Sequence, residues 1–387
     1  MKKSRRERVS RPPRPPVEVR PAEQILIDAL GKMPEGQILC TSLGRGQFAA
    51  AAARNRPLTN ACCCFLDLTA RNLAAEFHAD APPNLRFECR ADFPEDEVDV
   101  FAMPVTAAGD AELVREFLQA GHVRLRVGGT MFIATDNPVD SWLHDELRKK
   151  FAKVTRTPTN QGTLFVATKT ELLPKIKNHE CRFAFRDEGR LIQAVSRPGV
   201  FSHRRVDGGA RALLRAATVR PADRVLELGC GSGVVSLAAA FRAEAVQVDA
   251  LDANVRAVEC TRLGAELNGL SNVTVQLNSA EAGAEGELYP EPFDLIFANP
   301  PYYSNYRIAE IFARCAAESI KPEGTALFVT KQSEWYEERL PELFASVAVE
   351  PVGNYRVLRC RGKAAGKIRP RAMQSAADPN RDDDTET

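Results

Sequence analysis

The chain has 387 residues, 44% of them hydrophobic and 27% charged, with a formal net charge of +1. That length exceeds one ordinary hydrophobic core and predicts two domains plus tails. No apolar run approaches the ~18–20 residues needed to cross a bilayer, and no apolar segment follows the basic N-terminus, so the composition predicts a cytoplasmic protein. Ten cysteines include no C-x-x-C pair, and Cys62-Cys63-Cys64 are contiguous. That is poor geometry for chelation, so reduced thiols and no metal site are expected.

Residues 1–20 carry Lys2, Lys3, Arg5, Arg6, Arg8, Arg11, Arg14 and Arg20 among prolines, against only Glu7 and Glu18. Such a stretch cannot build a core and reads as a disordered basic arm, suited either to phosphates or to solvation alone. Over 21–175 the pattern alternates, with helices at Ala22–Leu30, Phe48–Arg54, Arg71–Phe77, Ala111–Gln119 and Leu143–Phe151. Between them lie strands at Gln37–Ser42, Ala61–Asp67, Val98–Met103, Gly129–Ala134 and Thr163–Thr168. Alternation of this kind implies a doubly wound, mostly parallel sheet.

The span 176–364 opens with a hairpin, Phe183–Arg186 and Leu191–Val195, turning at Glu188-Gly189. A helix follows at 210–217. Strands are then expected at Arg224–Leu228, Val246–Leu251, Val273–Leu277, Leu295–Ala298, Ala326–Thr330 and Tyr355–Arg359, with helices at Val234–Phe241, Val255–Asn268, Ile308–Ile320 and Glu334–Phe344. Residues 365–387, basic and then acidic, read as a second disordered tail. The two halves share a grammar: Gly44 to Asp67 spans 23 positions, as does Gly229 to Asp252, and Thr-Met-Phe-Ile-Ala-Thr matches Thr-Ala-Leu-Phe-Val-Thr. An internal duplication of a whole α/β domain follows.

The second half carries the chemistry. Gly229-Cys230-Gly231-Ser232-Gly233 follows a strand and opens a helix, so a ligand can approach the helix N-terminus closely. Glu227 precedes the loop, and Asp252 ends the next strand, where a carboxylate suits a ribose diol. Phe293–Ala298 runs into Asn299-Pro300-Pro301-Tyr302. Proline has no N–H, so the chain must leave the sheet there, with the Asn299 amide at the edge where open sheets bind ligands and Tyr302 as a stacking surface. Asn278 and Ser279 follow the third strand, near where a nucleobase would lie.

These motifs resemble class I S-adenosylmethionine-dependent methyltransferases. Asn299–Tyr302 is similar to the [N/D]-P-P-[Y/F] element of those that methylate amino groups. More narrowly, Arg197-Pro198-Gly199-Val200-Phe201-Ser202 with Asp207 and Gly209, and Gly353-Asn354-Tyr355-Arg356-Val357, resemble bacterial ribosomal RNA guanine-N2 methyltransferases. The resemblance implies two tandem Rossmann-like methyltransferase domains, each mostly parallel with an antiparallel last strand. It also implies S-adenosyl-L-methionine held by Phe201, Glu227, Gly229, Gly231, Gly233, Asp252, Asn278 and Ser279. Catalysis would fall to Asn299, Pro300, Pro301 and Tyr302, with ribosomal RNA or a subunit particle as partner and the protein acting as a monomer. Adenine N6, a protein glutamine amide, or a non-catalytic assembly role are the competing expectations. In the first half, Phe48 replaces the third glycine and is expected to fill cofactor space, while Met103-Pro104-Val105 is expected to keep the turn without its amide.

Overall fold

Strand runs that are apolar at every position, rather than alternately, call for a sheet covered on both faces. The computed structural model describes residues 18–280, 291–301 and 306–365, and in it these runs assemble into two seven-stranded sheets and one hairpin. The first sheet contains β1 (Gln37–Thr41), β2 (Asn60–Phe65), β3 (Leu85–Cys89), β4 (Val98–Val105), β5 (Leu125–Thr135), β6 (Thr155–Thr159) and β7 (Gly162–Thr168). Its helices are α1 (Pro21–Asp28), α2 (Gln47–Asn55), α3 (Leu68–Phe77), α4 (Ala111–Arg124) and α5 (Trp142–Arg148). The hairpin β8 (Cys181–Asp187) and β9 (Arg190–Ser196) leads into the second half.

There, α6 (Gly208–Ala216) precedes β10 (Arg224–Leu228), α7 (Val234–Arg242), β11 (Gln247–Asp252), α8 (Val255–Leu267) and β12 (Val273–Leu277). The rest comprises β13 (Phe293–Ala298), α9 (Arg307–Ser319), β14 (Ile320–Thr330), α10 (Glu334–Arg339), β15 (Phe344–Val352) and β16 (Tyr355–Lys363). The sheet orders are β3-β2-β1-β4-β5-β7-β6 and β12-β11-β10-β13-β14-β16-β15, the same topology twice. In each, the last strand in the chain is antiparallel to its neighbours. Two tandem, mostly parallel α/β sheets, as the duplicated pattern predicts, are therefore what the chain forms.

Three strands depart from the sequence expectation: β3, β6 and β15, the last of which falls partly on a predicted helix running to Phe344. All three are sheet edges. Edge strands have one open side and little need for continuous apolar character, so they tolerate the charges and prolines that disguised them. The turn expected at Met103-Pro104-Val105 is absent. β4 runs straight through it, pairing Met103 with Ile133, Pro104 with Ala134 and Val105 with Thr135. A single proline fits extended backbone, whereas the second half has two in succession and its strand stops at Ala298.

The halves pack through equivalent loops. The segment after β2 lies antiparallel to that after β11, with Leu68 N–H donating to the Ala253 carbonyl at 2.8 Å and Val255 N–H to that of Leu66 at 2.9 Å. Beneath this contact, Arg256 of α8 is 1% exposed. Its guanidinium donates to Glu116 of α4 (2.8 Å), to the Ala91 carbonyl (2.8 Å) and to the Pro198 carbonyl (2.9 Å). Arg197 donates to Glu116 from the other side at 2.9 Å. Each charge is buried with a partner, the condition under which burial is tolerable.

Candidate active site

Register decides which residues meet at the sheet edge. Leu228 of β10 lies level with Leu251 of β11 and with Ala298 of β13, so Gly229, Asp252 and Asn299 emerge at the same C-terminal edge. This is where the strand order reverses, with β11 on one side of β10 and β13 on the other, and open α/β sheets form their ligand crevice at that point. Asp252 pairs with Leu277, which brings Asn278 alongside, and Asn278 N–H donates to the Asp252 carbonyl at 3.0 Å. The Ser279 N–H donates to the Asn278 side chain at 2.8 Å. Of the candidate cofactor and catalytic residues, all but Tyr302 fall among the described residues; Tyr302, residues 1–17 of the basic arm and the tail from 366 on lie outside them.

The loop is built from glycine for steric reasons. Gly229, Gly231 and Gly233 have φ of +73°, +55° and +77°, a region side chains disfavour. A Cβ on Gly231 would sit 1.9 Å from the Phe201 carbonyl oxygen. That carbonyl accepts from Ser232 N–H at 3.0 Å, so the linker before α6 forms a wall of the loop, while Phe201 as a residue is 64% exposed. Asp252 reaches back to the loop: Gly231 N–H donates to Oδ2 at 2.9 Å and Asn254 N–H to Oδ1 at 2.8 Å. Capping of α8 falls to Asn254, whose side chain accepts from Arg256 N–H, which leaves Asp252 facing the crevice. Desolvation pushes the Asp252 carboxyl up to about 6, so it is ionised at neutral pH but not far below it. Glu227 is more deeply buried and is pushed up to about 8; the Ser236 N–H and hydroxyl both donate to its Oε2.

At the third strand end, Asn299 does not stand alone. Its Nδ2 donates to Asp207 Oδ2 at 3.0 Å, and the same oxygen accepts from Gly209 N–H at 2.8 Å and Ala210 N–H at 3.3 Å as the N-cap of α6. A Cβ on Gly209 would lie 3.0 Å from Asn299 Oδ1, so glycine is what lets helix and amide approach. Sequence reasoning singled out Asp207 and Gly209 by resemblance but gave them no role. The available signal was an aspartate directly before an amphipathic helix, a capping signature. Asn254 and Ser236, which free Asp252 and anchor Glu227, went unnoticed because their importance appears only once the strands are aligned.

The geometry matches what comparison with known proteins finds. Residues 192–359 match the model of the methyltransferase small domain. This part of the chain is thus similar to that domain. Ribosomal RNA small subunit methyltransferase C of Pseudomonas entomophila is 34% identical over 160 residues, which is 40% of this chain and 46% of that protein. The same enzyme of Pseudomonas aeruginosa is 36% identical over 137 residues, 34% of this chain and 40% of that protein. The matched stretch thus spans about half the length of these curated relatives. The uncharacterized protein YbxB of Bacillus subtilis is 28% identical over 180 residues, 46% of this chain and 88% of its own. Among solved structures, a T. thermophilus 16S rRNA N2 methyltransferase in complex with AdoMet and guanosine superposes with a TM-score of 0.70 at 21% identity. It covers 88% of this chain and 92% of its own, so the fold is shared across both halves.

The first half keeps the loop length, with 42–46 between β1 and α2 against 229–233 between β10 and α7, and Gly46 caps α2 where Gly233 caps α7. Phe48 is therefore helical and fully buried in the core, so the expectation that its ring fills cofactor space is wrong. Side chains of the loop region do the filling. Ser42 accepts from Gly44 and Gly46 N–H and donates to buried Glu23, while Gln47 accepts from Arg45 N–H. Phe65 ends β2 where Asp252 ends β11, and Asp67 is the counterpart of Asn254, capping its helix through Ala70 N–H at 2.7 Å. Met103 is buried in the core. Among the described residues no group of three His, Cys, Asp or Glu could hold a metal ion, and no helix is long and apolar enough to cross a membrane.

Proposed function

We propose that the chain transfers a methyl group from S-adenosyl-L-methionine to the exocyclic N2 amine of a guanine in small-subunit ribosomal RNA. The observation that carries this reading is the Asn299 amide, held by its Nδ2 so that its Oδ1 is left to accept, at the same sheet edge as a three-glycine loop and Asp252. The residues present fit the cofactor. The glycine loop has no room for side chains, and the ionised Asp252 keeps lone pairs for a ribose diol beyond its two backbone donors. Gly229, Gly231 and Gly233 would line the amino-acid end with Glu227 behind them, Asp252 would hold the ribose, Asn278 and Ser279 would flank the base, and Phe201 would close the loop side. When bound, S-adenosylmethionine supplies an electrophilic methyl group on a sulfonium sulfur.

The chain's own contribution is positioning. A guanine N2 amine is a poor nucleophile because its lone pair is delocalised into the ring. Asn299 Oδ1 and the Pro300 carbonyl can accept its two hydrogens, which turns the lone pair toward the methyl group. Pro300 and Pro301 take the backbone out of the sheet so that these acceptors face outward. Tyr302 would stack on the base, a contact worth ~1–3 kcal/mol, and a base-paired guanine would have to be extruded to reach it. In this reading residues 21–175 are a degenerate copy that supports or docks substrate, 176–364 is the catalytic unit, and the protein works as a cytoplasmic monomer without a metal. Names of the relatives matched over about half their length, and of the T. thermophilus structure, support the choice of ribosomal RNA and of guanine N2.

Nucleoside mass spectrometry of ribosomal RNA from a strain lacking the gene tests this, with one N2-methylguanosine expected to disappear and to return on complementation. Unchanged ribosomal RNA together with an unmethylated adenine N6 or protein glutamine would overturn the choice of substrate. Failure to bind S-adenosylmethionine in calorimetry would favour a non-catalytic assembly factor.

A further inference from the structure

We propose that Asp207 is the positioning residue that decides which end of the Asn299 amide faces the substrate; the inference rests on the methyl-transfer reading above. An asparagine side chain is nearly symmetric in shape but opposite in chemistry at its two ends, with an acceptor oxygen and a donor NH2. Presented the wrong way round, Asn299 would point N–H bonds at an amine that is itself a donor, and the site would repel its substrate. Nothing in the backbone of Ala298-Asn299-Pro300 selects the rotation, since the amide turns about a soft terminal torsion.

A carboxylate beside it does select. It can only accept, so the end facing Asp207 must be Nδ2, which lies 3.0 Å from Oδ2. The other end, Oδ1, is thereby turned away from Asp207. The carboxylate is itself immobilised, because Gly209 and Ala210 N–H groups at the start of α6 donate to the same oxygen. The positive end of the helix helps hold the carboxylate in place. Gly209 completes the arrangement: a Cβ there would press to 2.8 Å on Asp207 Oδ2 and to 3.2 Å on Asn299 Nδ2. The chain of cause runs from helix terminus to carboxylate to amide to substrate amine.

Two substitutions separate this role from simple helix capping. Serine is a good N-cap but too short to hold both the α6 amides and Asn299, so Asp207→Ser keeps the cap and frees the amide. Asparagine keeps an acceptor oxygen at full reach, so Asp207→Asn preserves both. Turnover is measured with methyl-tritiated S-adenosylmethionine and small ribosomal subunits from a strain lacking the gene, and cofactor affinity by calorimetry. Expected for Asp207→Ser is a fall in kcat of about 10–100-fold with unchanged affinity for S-adenosylmethionine, as for a misplaced catalytic group. Asp207→Asn should stay within a few-fold of the parent. Asp207→Ser should add nothing further in an Asn299→Ala background, because the group it positions is gone.

Parent-like kcat in Asp207→Ser, alongside a strong loss in Asn299→Ala, overturns the positioning role and leaves the methyl-transfer reading intact. An equal loss in Asp207→Ser and Asp207→Asn also overturns it. Parent-like turnover in Asn299→Ala instead removes the reading on which the inference stands. Circular dichroism melting of each variant excludes unfolding as the cause.

Discussion

Asp252 owes its freedom to a residue two places on. It ends β11 where Phe65 ends β2, and the capping of the next helix falls to Asn254, as it falls to Asp67 in the first half. Burial then raises the Asp252 carboxyl to about 6, above the ordinary carboxylate range. A neutral carboxyl has lost acceptor capacity for a diol, so cofactor affinity should be full above pH 6 and fall as the pH drops through it. With about one-tenth of the sites ionised at pH 5, the apparent Kd for S-adenosylmethionine should weaken roughly tenfold between pH 7 and pH 5. Calorimetry across that range checks this, and Asp252→Asn should bind weakly and without the pH step. The candidate residues were legible in the sequence because glycine, aspartate and Asn-Pro-Pro each mark a backbone event. Their orientation was not, since Asp207 and Asn299 are 92 positions apart and only the fold makes them neighbours.

At the scale of elements, the glycine loop and the linker before α6 act as one piece. Gly231→Ala would place a methyl group 1.9 Å from the Phe201 carbonyl and hold alanine at φ +55°. Gly269 offers a matched control at φ +64° with nothing within 4 Å of its Cβ position. Both variants should lose about 1–2 kcal/mol of stability from backbone strain alone. Only Gly231→Ala should also displace the linker and abolish saturable S-adenosylmethionine binding, which calorimetry would show. The central strands were readable because burial on both faces demands continuous apolar runs. The edges β3, β6 and β15 were not, and neither was the end of β4, where one proline was read as a break that takes two. Helix starts were harder still: Gly46, not Phe48, directly precedes its helix as Gly233 does, so the two loops are equally long and Phe48 lies buried inside α2.

Across the whole molecule, a buried ionic cluster fastens one half to the other. Arg256 satisfies Glu116 and two backbone carbonyls in a space that excludes water. Arg256→Met leaves Glu116 with Arg197 alone, and a broken buried pair typically costs about 3–5 kcal/mol. Urea denaturation should show that loss, and adding Glu116→Gln should recover part of it. Because Arg256 lies in the first turn of α8, four residues after Asp252, the same variant should also weaken cofactor binding. The duplication itself was legible from spacing, but this cluster was not, since its charges come from Asp92, Glu116, Arg197 and Arg256, scattered along the chain. The backbone pairing of the loop after β2 with the loop after β11 carries a consequence for descent. On the proposed division of labour, a copy that no longer binds ligand would ordinarily be free to drift, yet its loop after β2 is the buttress of the loop after β11. Selection on the proposed catalytic half would then be felt in its copy, at the residues that pair with it.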